Sequence, residues 1–239
     1  MTGDGRRPEP AGVRQDFDAE AVLQTFFGCK PGDVPADFVC TPIPAFYSAL
    51  VSRASDVVEY RGWWRMATVT LDRHRYGVVQ HFEGSRVVDV LYALAGPGSR
   101  AAFLGLVGGL DDSVEIGDVV GIDVALRHGE PAERAIGSLP AGAVTALTVD
   151  GMLEAAPVGP ASPGRAQVVD LETHFFYRAA RGTAVAASAA WALVTDKPAV
   201  RPFWQVPLTD EDLDDAASRM FPVLNEWLDL SVDRSQGEM

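Results

Sequence analysis

Basic residues are scarce in this chain. Twenty Lys and Arg stand against 33 Asp and Glu, a formal charge of −13 over 239 residues. A sequence-independent grip on nucleic acid needs clustered cations that displace counterions, so that class is excluded. One anionic ligand in a small basic pocket is not. Cysteine is scarcer still. Cys29 and Cys40 stand without metal-ligand company, and the sequence implies neither a metal nor an organic cofactor. By number alone they could pair, but nothing else points to secretion. No run approaches the roughly 20 apolar residues that cross a bilayer. Met1 to Ala11 is polar and rich in Gly and Pro, with no apolar signal-peptide core. The expectation is a cytoplasmic protein with no membrane and no nucleic acid among its partners.

What is present fits a soluble globular chain. Apolar residues make up 47% and charged residues 22%, and the length suits one large or two small domains. No repeat or long low-complexity linker divides it. The best linker candidate, Ala155 to Gly164, is flanked by parts of one α/β layer structure and reads as a surface loop. The expected organisation is a disordered tail over residues 1–15, one domain over 16–230 and a flexible tail over 231–239. The acidic run Asp210, Glu211, Asp212, Asp214 and Asp215 reads as the solvated first turn of a helix.

Apolar runs alternate with helical stretches. Asp37 to Cys40 reads as a buried strand and Phe46 to Ala54 as a helix. Met66 to Leu71 and Gly77 to Phe82 form a hairpin around Asp72, Arg73 and His74. Ser85 to Leu94 is helical, with Val87, Val88, Leu91 and Leu94 on one face. Ala101 to Val107, Val119 to Leu126, Val144 to Val149 and Ala187 to Thr195 read as strands. Leu171 to Arg181 and Thr209 to Leu228 read as helices, the second capped by Thr209 with Asp212 three residues on. Alternation of this kind, with several strands apolar on both faces, predicts an α/β sandwich around a largely internal sheet.

Three segments carry candidate chemistry. In Phe103-Leu-Gly-Leu-Val-Gly-Gly-Leu110, a buried strand ends in Gly108 and Gly109, where a ligand could approach the backbone closely. A tight turn explains the pair equally well. In Val168-Val-Asp-Leu-Glu-Thr173, Glu172 enters a helix, either as a carboxylate favoured by the helix dipole or as an acceptor for the vicinal hydroxyls of a sugar. In Ala192-Leu-Val-Thr-Asp-Lys-Pro198, a strand delivers Asp196 at its C-terminal end, where open α/β sheets place ligand-binding residues. An Asp that starts a turn before Pro198 is the plainer reading of that segment alone.

Taken in this order, GGL at 108–110, IGDVV at 116–120, VDLE at 169–172 and TDKP at 195–198 resemble the nucleoside phosphorylase and nucleosidase superfamily. The Asp-Lys-Pro variant looks particularly like the catalytic domain of AMP nucleosidases. The resemblance spans about Met66 to Leu228. It implies a three-layer α/β/α sandwich with a central mixed sheet, phosphorylase-like, and cleavage of the N-glycosidic bond of a purine nucleoside or nucleotide. Glu172 would then hold the ribose hydroxyls and Asp196 would protonate or hydrogen-bond the base. Leu171 would wall the sugar from below, and Met152 would lie where relatives stack an aromatic on the base. A homo-oligomer is expected, because the family builds its pockets near subunit interfaces.

The pattern departs from phosphorolytic members. The loop Cys40-Thr-Pro-Ile-Pro44 loses two amide donors to proline, Phe103 stands at the arginine position, and Leu106 stands at the Ser/Thr position. Water is therefore the expected nucleophile in place of phosphate. Glu83, in the loop His81-Phe-Glu-Gly-Ser85, is the candidate to orient or deprotonate it; Thr41 and His81 are weaker candidates. Arg86 could meet a 5′-phosphate or be a surface arginine, and Arg127 and His128 end a strand on the ligand side. His174, two residues from Glu172, reads as structural. A phosphorylase, or a pathway-specific enzyme acting on an unusual nucleoside, is the alternative. A binding protein that kept the pocket and lost the chemistry is the alternative of another class.

Overall fold

The computed structural model describes residues 18–71, 74–139, 142–155, 166–183 and 185–235. The expected tail over 1–15, the hairpin tip at 72–73 and nearly all of the loop 155–164 lie outside the described residues.

A long apolar strand, β5 (Arg100–Gly109), organises the molecule. It runs parallel to β1 (Asp37–Thr41) on one side and to β10 (Ala187–Asp196) on the other. Beyond β1 the sheet continues through β4 (His74–Gln80), β3 (Arg65–Leu71) and the edge strand β2 (Asp56–Arg61), the last two in antiparallel pairing. On the other side β10 pairs antiparallel with β6 (Val119–Leu126), followed in parallel by β8 (Val144–Thr148) and β9 (Val168–Asp170). The short β7 (Glu133–Arg134) adds to β6. Gly108 and Gly109 at the end of β5 pair with Val169 and Val168 of β9. Strands β5, β10, β6, β8 and β9 thereby close into a ring, a curled continuation of the mixed sheet.

Helices cover both faces. On one side lie α1 (Ala19–Phe26), α3 (Val87–Leu94) and α5 (Thr173–Gly182); on the other lie α2 (Pro44–Arg53) and α6 (Asp210–Ser235), while the short α4 (Met152–Ala155) packs beside β9. Because side chains alternate along a strand, β5 sends Phe103 into the core beneath α3 and α5, and Leu104 into the core beneath α2 and α6. Burying each such side chain contributes about 1.5–3 kcal/mol. The three-layer arrangement around a mixed sheet matches the expected fold.

Boundaries differ where capping overrides periodicity. The helix expected over Leu171 to Arg181 starts at Thr173. An Asp170 carboxylate oxygen accepts the Thr173 N–H at 2.8 Å and also takes the Thr173 hydroxyl, which sets the first turn and leaves Leu171 and Glu172 outside it. Helix α2 begins two residues early, at Pro44, a position that needs no N–H. The tail expected from residue 231 is helical as far as Ser235, and 236–239 lie outside the described residues. Thr209 caps α6 as expected: its hydroxyl accepts the Asp212 N–H at 3.2 Å, and the Asp212 carboxylate accepts the Thr209 N–H at 2.9 Å.

Candidate active site

The C-terminal ends of β5, β9 and β10 meet at a cleft of about 170 Å³. Glu172 reaches it from the turn after β9. Its side chain is buried, and its Oε1 accepts the Gly84 N–H at 2.7 Å. Burial pushes the Glu172 carboxyl up to about 8; the charges of Asp170 and Glu83 add to the rise, and the Gly84 donor opposes it. Beneath it, Asp170 is buried and saturated with donors. One oxygen takes the Thr148 hydroxyl at 2.6 Å and the other takes the Thr173 amide and hydroxyl. Burial raises its pKa and these donors work against the rise.

Asp196 enters from the end of β10, past a register shift that follows Val194. The Thr195 hydroxyl lies 3.0 Å from Asp196 Oδ1, and the Phe203 amide also donates to this carboxylate. Burial raises the Asp196 pKa and these two donors oppose the change. Lys197, next in sequence, turns away: its Nζ lies 3.3 Å from a Glu115 carboxylate oxygen and 3.9 Å from Asp112. Gly108 is glycine for a steric reason. A Cβ there would lie 2.7 Å from Pro198 Cγ and 3.2 Å from Asp196 Oδ1.

The remaining walls are largely apolar. Pro42, Ile43, Leu106 and Leu208 line one part, while Val149, Met152, Leu171, Phe203 and Trp204 line others. Among the described residues, no Lys, Arg or His side chain lines the cleft. The arrangement thus offers three buried carboxyl groups of raised pKa, of which Asp170 is already saturated with donors, a fourth carboxylate from Glu83 at the wall, and aromatic surface.

No protein-family model and no curated protein sequence matches the chain. Solved structures do match its backbone. A futalosine hydrolase of Helicobacter pylori strain 26695 superposes with a TM-score of 0.68 at 11% identity, covering 80% of this chain and 97% of that one. An MTAN from Chlamydia trachomatis bound to MTA gives 0.65 at 14% identity, covering 80% and 97%. An S-adenosylhomocysteine nucleosidase from Streptococcus pyogenes, in complex with 5-methylthiotubericidin, gives 0.64 at 15% identity, covering 79% and 93%.

The chain has the nucleoside phosphorylase fold.

On this fold, the sequence-derived residues Asp196, Glu83, Glu172, Leu171, Gly108 and Met152 come together in the cleft. Three others do not line it. Gly109 is a packing glycine, where a Cβ would sit 3.1 Å from Val114 Cγ2. Thr41 is fully buried and its hydroxyl accepts the Ile43 N–H at 3.1 Å, so it shapes the loop that bears Pro42 and Ile43. Arg86 is largely exposed and lies 3.7 Å from Asp89, one turn along. His81 is buried beside the Phe103 ring; its Nδ1–H donates to Phe82 O at 2.6 Å, and burial pulls its pKa down to about 4. His174 is fully buried, with Nε2 on Pro131 O at 3.0 Å.

Sequence reasoning missed Phe203 and Trp204. They form an edge-to-face pair, ring centroids 5.1 Å apart, on a short 3-10 turn after Pro202. Both rings are about half exposed, at 42% and 54%, although each lines the cleft. Two adjacent aromatics in a Pro-flanked loop shortly after Asp196 were the available signal.

Proposed function

We propose that the chain hydrolyses the N-glycosidic bond of a purine nucleoside that carries no 5′-phosphate. One observation carries this reading: two buried carboxyl groups of raised pKa, Glu172 and Asp196, share a cleft lined by no basic side chain among the described residues. A phosphate dianion, whether as nucleophile or as a 5′ substituent, would meet carboxylates and hydrocarbon there. Leu106 forms wall where a phosphate site needs a hydroxyl, and Phe103 is buried against Phe176. The hydrolases and nucleosidases of the same fold support the assignment.

In the proposed reaction the C1′–N9 bond breaks and its electron pair goes to the purine. Asp196, whose carboxyl burial shifts toward its protonated form, gives a proton to N7. Glu172, driven toward its neutral form by burial, accepts hydrogen bonds from the ribose hydroxyls, and on ionising it stabilises the positive charge that develops on the ribose. A water oxygen bonds to C1′ and loses its proton to Glu83, the wall carboxylate next to Gly84, whose amide holds Glu172. Met152, Phe203 and Trp204 supply surface for the base. Exposed Phe82, Leu153 and Val200 favour a homo-oligomer. The expected setting is the cytoplasm.

The test is a substrate panel. Adenosine, inosine and methylthioadenosine are incubated with the protein beside AMP, and released base is measured by chromatography. Base from at least one nucleoside and none from AMP is the expected pattern. Release from AMP alone, or from none of the four by folded protein, overturns the reading for these substrates.

A further inference from the structure

We propose that Arg127 is a positioning residue that holds the Val149–Met152 wall of the cleft in place. The guanidinium follows the end of β6 and joins three separate parts of the chain. It pairs with the Glu130 carboxylate, lies 2.7 Å from Asp150 Oδ1, and rests over the Phe175 ring of α5 with its Cζ 4.8 Å from the centroid. Arg178 packs on the same ring at 5.4 Å and pairs with Glu130 at 2.9 Å. Only 24% of the Arg127 side chain is exposed, against 63% for Asp150.

An exposed ion pair between two mobile side chains would hold a loop weakly. Here the ring and Glu130 fix the planar guanidinium first, so Asp150 meets a partner already oriented. Asp150 sits between Val149 and Met152, which both line the cleft. Its amide donates to Glu154 Oε2 at 3.1 Å, and the Val149 amide donates to Asp170 O at 2.9 Å. Among the described residues, no other ion pair reaches this segment. Arg127 touches none of the cleft and acts on it through Asp150.

The test uses the full chain and the variants Arg127→Met and Asp150→Asn, the second at an exposed site where folding is not at risk. Hydrogen exchange is followed across residues 148–155, and KM and kcat are measured on whichever nucleoside the wild type cleaves; this kinetic arm rests on the proposed function. Exchange at the Asp150 and Glu154 amides is expected to speed up about tenfold in both variants, with KM rising about tenfold and kcat changing less than about threefold. Unchanged exchange in both variants overturns the positioning role, whatever the activity. Faster exchange with KM and kcat both unchanged overturns it as well, as does a fall in kcat at constant KM. A wild type that cleaves no nucleoside contradicts the proposed function instead, and the exchange measurement still decides the role of Arg127.

Discussion

The backbone amide of Gly84 donates to the Glu172 carboxylate at 2.7 Å, tying the loop after β4 to the turn after β9, 88 residues away in sequence. This bond fixes a carboxyl group that burial and the nearby Asp170 drive toward its neutral form. Glu172 is thus held in position while its charge remains adjustable near neutral pH.

Stability should report that burial. The Glu172 pKa rises from its ordinary 4.5 to about 8 in the folded protein, so between these values the unfolded chain has released a proton that the folded chain keeps. The stabilisation is complete below pH 4.5 and is lost as pH rises through 8, by an amount on the order of 5 kcal/mol. Asp170 and Asp196 shift in the same direction, so Glu172→Gln isolates one group. Melting temperature against pH should fall less steeply in this variant between pH 5 and 8. Parallel curves for variant and wild type would count against a raised Glu172 pKa.

Asp196→Asn keeps the shape of the side chain and removes its transferable proton. Turnover is expected to fall about 10²- to 10⁴-fold, with nucleoside binding changed much less. Calorimetry beside steady-state kinetics separates the two effects. Full activity in the variant would remove Asp196 from the chemistry.

Gly108→Ala tests the steric argument. Its Cβ would meet Pro198 at 2.7 and 2.9 Å and Asp196 Oδ1 at 3.2 Å, so Pro198, two residues after the acid, must shift and the carboxylate must give by a few tenths of an ångström. Turnover is expected to fall, by less than the roughly 10²-fold that a misplacement of about 1 Å costs. Gly109→Ala, which faces Val114 and Val194, should act mainly on melting temperature. Equal kinetic losses from both variants would show that Gly108 has no special relation to Asp196.

Much of this was legible in the amino-acid sequence, for identifiable reasons. Strands β1, β3, β5, β6, β8 and β10 announce themselves as apolar runs because the sheet is covered on both faces. The ring closure was not legible. It depends on β9, which is only three residues long and too short for any periodicity to register. Strand β2, DVVEYR, was missed because most of its side chains are exposed and no alternation marks it. Glu172 and Asp196 were singled out by the resemblance that the ordered motifs carry, since each segment alone reads equally well as a helix start or a turn. Phe203 and Trp204 left only the weak signal of two aromatics in a Pro-flanked loop, since their place over the cleft depends on how the segment after β10 folds back. Phe103 and Leu106 foreshadowed a cleft with few partners for phosphate, but that no basic side chain lines it among the described residues required the fold.

The most direct measurement of the central claim is product analysis from a nucleoside turned over with and without inorganic phosphate. The account predicts equal rates in both, with free base and free ribose as the products. Base release that requires phosphate and yields a sugar 1-phosphate would contradict it.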